Sequence, residues 1–171
     1  MEPRFYAWIV PGGLAVAERP GRGGRSHRRE LRESEEEWWR EQGVTAIVSG
    51  MRSRHGLVEY ALAGFRVRWH PLSDLEGARV ELPRLVAAVR ELLEEAPGGV
   101  LVHCDRPGEW LTGVDAGLRL AAGLAGDPAE ALAQAAEDGL PVGPLAAALV
   151  GAAAPGAPGE PRSREAPAAG R

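Results

Sequence analysis

The chain has 171 residues, 44% hydrophobic and 26% charged, with a net charge of −4. That suits one globular domain plus a short appendage, and the acidic balance leaves no electrostatic footprint for nucleic acid. No apolar run reaches the roughly 20 residues of a membrane span, residues 1–17 lack the features of a secretory leader, and the one cysteine excludes an internal disulfide and fits a cytoplasmic protein.

Residues 5–10 (FYAWIV) predict a strand, Pro11-Gly12-Gly13 a turn, and Leu14 to Ala17 a second strand. Residues 19–29 form a basic, Gly-rich loop whose arginines are expected to pair with the glutamates of residues 30–37. Ser34 and Glu37 have the spacing of a capping box for a short helix through Trp38 and Trp39, ended by Gly43. Residues 44–49 (VTAIVS) are an apolar, β-branched run suited to a buried parallel strand.

A short helix over 57–63 stops at Gly64, and residues 65–70 (FRVRWH) alternate as a half-exposed strand closed by Pro71. Leu82, Leu85, Val86, Val89, Leu92 and Leu93 have helical spacing within 80–96, and Pro97-Gly98-Gly99 ends that helix. Val100, Leu101 and Val102 then form a strand leading into His103-Cys104. Helices are predicted over 112–124, from Pro128 with Asp127 as its cap, and over 144–150. Strands alternating with helices imply an α/β fold, with a mostly parallel central sheet flanked by helices. Residues 1–150 are expected to form this domain. Residues 151–171 are nearly all Ala, Pro, Gly and Arg, with nothing large to bury, and are expected to be a disordered tail.

The run VLVHCDRPGEWLTG, residues 100–113, carries the chemistry. A cysteine between a strand end and a helix start sits where backbone N–H groups and a helix N-terminus favour an anion, and a thiolate over a thiol. A lone cysteine is ordinarily a small buried hydrophobe. The flanking loop is what points to a nucleophile.

These residues resemble the signature loop of the cysteine-dependent dual-specificity and tyrosine phosphatases, HCxxGxxR followed by Ser or Thr. His103 and Cys104 match that pattern, and Thr112-Gly113 match its close if one residue is inserted. Pro107 stands where the family has glycine, with Gly108 one place later. The family arginine falls on Trp110, or on Leu111 if the loop carries the insertion, so either alignment loses it.

The resemblance implies a fold spanning residues 5–125 and a thiolate attack on phosphorus through Cys104. It also implies a general acid about 30 residues upstream. Asp74 in the string HPLSD lies at that spacing, with Glu76 as the fallback. Thr112 completes the implied catalytic set. The implied phosphate cradle comprises His103, Asp105, Arg106, Gly108, Trp110 and Gly113. The missing arginine removes a bidentate clamp worth on the order of 10³-fold in rate.

The reading is therefore a phosphatase-like protein with impaired catalysis. It would bind a phosphorylated protein or a small phosphoester, or act as a regulatory module, without metal or cofactor. A weakly active phosphomonoester hydrolase assisted by Arg106, Arg22 or Arg25 is the alternative. A thiol-based redox or sulfur-transfer protein is the third.

Overall fold

The computed structural model describes residues 1–21, 29–95 and 97–153. Five strands form one sheet: β1 (Tyr6–Val10), β2 (Leu14–Glu18), β3 (Val44–Ser49), β4 (Arg66–Trp69) and β5 (Gly99–Cys104). The spatial order is β1-β2-β5-β3-β4. Only the β1–β2 hairpin is antiparallel. The central strand β5 is buried along its whole length, as its unbroken apolar run requires with helices on both faces.

The helices are α1 (Arg29–Glu41), α2 (Leu57–Leu62), α3 (Leu75–Glu95), α4 (Glu109–Ala121), α5 (Pro128–Glu137) and α6 (Pro144–Ala153). Strand alternation sends Val16, Val48 and Val102 to one face, where Leu82 and Leu85 of α3, Leu111 and Val114 of α4, and Leu149 of α6 cover them. Ala17, Ile47 and Leu101 point to the other face, against Trp39 of α1, Tyr60 of α2 and Phe65. This is the mostly parallel α/β architecture that the alternation of elements predicts. Among the described residues, no helix is long and apolar enough to cross a membrane.

Several boundaries differ from the local reading. Ser34 caps nothing: it lies inside α1 and donates to the Leu31 carbonyl at 2.9 Å. The helix starts earlier because Arg29–Glu33 and Arg32–Glu36 pair one turn apart, at 2.6 and 3.2 Å. Helix α3 begins at Leu75 rather than 80, and Pro83 lies inside it as it does in the predicted helix. Asp74 caps the helix by accepting the Gly77 amide at 2.7 Å. Helix α4 begins at Glu109 rather than Thr112, with Gly108 as its N-cap. Helix α6 runs through Ala153, past the boundary expected at 150. The rest of the tail and most of the basic loop, including Arg22 and Arg25, lie outside the described residues.

Candidate active site

Strand β5 ends in two side chains that point to opposite faces of the sheet. His103 enters the α1–α2 face, fully buried, edge-on to Tyr60 with ring centroids 5.4 Å apart and beside Trp39 at 6.5 Å. Burial there drives its imidazole pKa down to about 4, against a weaker pull from the Cys104 backbone. His103 is thus a neutral ring that packs the strand end. A second buried polar group lies in this layer, the Glu36 carboxyl, which burial pushes up to about 7 despite its Arg32 partner.

Cys104 points into the opposite face, toward α4, and is 4% exposed. Its sulfur occupies a notch left by Gly50, which follows β3. A Cβ at Gly50 would lie 3.2 Å from Cys104 Sγ and 3.4 Å from Leu72 Cδ1. The Gly50 amide donates to the His103 carbonyl at 2.9 Å, which locks that approach. Glu18 stands directly across from Cys104 in the β2–β5 register, almost fully buried.

The expected depression of the thiol pKa does not occur. Burial pushes Cys104 up to about 12, and the Asp105 carboxylate adds to the rise. A helix N-terminus stabilises a nearby anion by about 0.3–1 kcal/mol. That is too little to offset removing a thiolate from water.

The other residues singled out in the loop have specific contacts. Asp105 pairs with Arg19 at 3.3 Å, and the Arg19 amide donates to the Cys104 carbonyl at 2.9 Å. Arg106 is exposed. Gly108 caps α4 in an extended conformation that any residue adopts. Glu109 reaches across to the start of α6 and accepts the Leu145 and Ala146 amides at 2.8 and 3.2 Å. Trp110 is half-buried against the main core, and Leu111 is fully buried within it. Both positions proposed for the missing arginine are therefore apolar and packed.

Thr112 is fully buried, and its hydroxyl donates to the Pro141 carbonyl at 2.7 Å and approaches that of Gly108 at 3.2 Å. Gly113 faces α6: a Cβ there would meet Leu149 Cβ at 2.5 Å, so glycine is what lets α4 and α6 approach. Asp74 is exposed at the entrance to α3, with one oxygen holding the Gly77 amide and Ser73 Oγ 3.4 Å from the other. Among the described residues, no three His, Cys, Asp or Glu side chains converge as metal ligands.

Local reading missed Gly50, Glu18 and Arg19. A glycine straight after the apolar run of β3 was the available signal for Gly50. Nothing local marks the other two, which meet the loop only through the β2–β5 pairing.

These elements, with a cysteine at the end of the central strand and a helix rising from the loop after it, define a cysteine-dependent dual-specificity/tyrosine-phosphatase-like fold. Solved structures agree. The chain superposes on a variant of human DUSP28 with TM-score 0.63 and 17% identity, covering 86% of this chain and 92% of that one. It superposes on TpbA of P. aeruginosa with TM-score 0.56 and 21% identity, covering 81% and 78%. For the active form of Tk-PTP the values are 0.57 and 20%, covering 76% and 82%. No protein-family model and no curated protein matches the sequence.

Proposed function

We propose that this protein is a phosphatase-fold module with impaired catalysis, acting as a phosphoester-binding or regulatory component. The observation that carries this is the environment of Cys104. Its thiol is buried, burial and, to a lesser extent, Asp105 raise its pKa to about 12, and Glu18 lies across the strand pair. Phosphoryl transfer needs the reverse: a thiolate, and cations around the equatorial oxygens. Trp110 or Leu111 stands where the family places its arginine, and neither can neutralise charge. Arg106 is the exposed cation of the loop and the natural contact for a phosphoester at its rim.

Hydrolysis of an aryl phosphate by the wild type and by Cys104→Ser tests this reading. Equal, background-level rates are expected. Clear turnover by the wild type that Cys104→Ser abolishes would overturn it and favour a working hydrolase. Phosphotyrosine or inorganic phosphate titrated into the full chain addresses binding, and Arg106→Ala should weaken any association.

A further inference from the structure

Strand β4 is one edge of the sheet, with β3 on its inner side only. The His70 amide donates to the Ser49 carbonyl at 3.0 Å. Backbone alternation therefore turns the amides of Arg66 and Arg68 toward β3, and the N–H and C=O groups of Val67 and Trp69 outward. An edge like this is a template for another strand unless something blunts it. The Val67 carbonyl is grazed by the Arg68 guanidinium at 3.4 Å.

The two faces beside this edge differ. On the α2 side, Val67 and Trp69 join Leu57, Val58, Ala61 and Leu62 in an open apolar groove of about 450 Å³. Val58 and Leu62 are 67% and 83% exposed along it. On the other side stand Arg66 and Arg68, both exposed. Arg66 shares Glu95 at 3.4 Å, in a half-exposed pair. Arg54 lies over the Trp69 ring, 4.6 Å from its centroid. Among the described residues, neither Arg54 nor Arg68 has a carboxylate partner. Arg68 thus leaves an unpaired cation on the face opposite the groove, on a chain whose net charge is −4.

We propose that the β4 edge docks an extended segment of a partner protein, which adds as a further strand. Its alternate residues would be apolar, seated in the α2 groove, and acidic, set beside Arg66 and Arg68. Strand addition takes affinity from main-chain hydrogen bonds and specificity from alternating side chains, and this edge offers a different chemistry to each alternation. A second copy of the chain fits less well. Two β4 strands paired about a two-fold axis would crowd both copies of Arg66 and Arg68 onto one face, like charge against like.

The test uses the full chain and a short fluorescein-labelled peptide alternating glutamate with valine and isoleucine, read by anisotropy. Saturable binding is expected, with a matched peptide carrying lysine for glutamate at least about tenfold weaker. Leu62→Asp and Arg68→Glu, both at exposed positions, should each weaken binding about tenfold or more while leaving the melting temperature unchanged. Four results would overturn the proposal: no saturation at millimolar peptide, equal binding of the lysine peptide, binding indifferent to both variants, or a concentration-dependent dimer of the chain that these variants dissolve. The last would assign the edge to a second copy.

Discussion

The Glu109 carboxylate accepts the Leu145 amide at 2.8 Å, so the first turn of α4 caps the first turn of α6 across 36 residues of chain. An acid in the signature loop, which by position would oppose a phosphate, is thereby a clamp between two helices. Glu109→Ala leaves the α6 amides without an acceptor. It should cost about 1–2 kcal/mol in thermal or denaturant unfolding, as loss of a helix cap does. The alkylation rate of Cys104 should change far less.

Gly113 and Leu149 give a second check on the same interface. Gly113→Ala drives a methyl to within 2.5 Å of Leu149 Cβ. Overpacking of this kind costs about 1–3 kcal/mol. Combining it with Leu149→Gly should recover part of that loss, because only removal of the Leu149 Cβ opens the space the methyl needs, whereas Leu149→Ala keeps that atom and should recover less. A double-mutant cycle on the melting curves measures the coupling.

Cys104 should behave as a protected thiol. With its pKa pushed up to about 12 by burial and Asp105, the iodoacetamide rate should show no inflection near the ordinary thiol value of about 8.5. Denaturant should accelerate the reaction sharply. A fast reaction with a midpoint at or below about 8.5 in native protein would show a thiolate open to solvent.

His103 carries a pH dependence whose sign is set by burial. Its folded pKa, about 4, lies below the ordinary value of 6.5, so the unfolded chain binds more protons between these values. Its contribution to stability therefore falls as pH drops from about 6.5 to about 4, by at most roughly 3 kcal/mol. His103→Gln should be destabilised at pH 7 through lost packing, and that deficit should shrink toward pH 4.5. Melting temperatures of both proteins across this range decide it. A constant deficit would mean that the ring is not buried neutral.

Restoring the arginine tests how far the loop departs from a working cradle. If the loop keeps family length, Trp110→Arg should introduce Cys104-dependent turnover. If Leu111 marks the site, Leu111→Arg with Pro107 deleted should do better. A regained clamp is worth up to about 10²–10³-fold. The gain must vanish when Cys104→Ser is added. A folded variant with no gain would place the fault in the burial and acidic surroundings of Cys104 as well as in the missing cation.

The sequence alone determined the sheet and the residues of the loop after Cys104. The apolar runs of β3 and β5, the glycine stops at Gly43 and Gly64 and the Asp127–Pro128 cap are local signals, and each appears in the structure. So does the absence of an arginine at position 110 or 111, where Trp110 and Leu111 stand instead. Tertiary structure decided what the remaining loop residues touch. Glu109 meets α6, Thr112 meets Pro141, Gly50 makes room for the sulfur, and Arg19 meets Asp105. These partners are far apart in the chain, and no residue pattern near either one announces the other. The thiol pKa belongs with them. Local reading sees a strand end and a helix start, which favour an anion, but desolvation is set by what the whole fold packs around the sulfur, and here it wins.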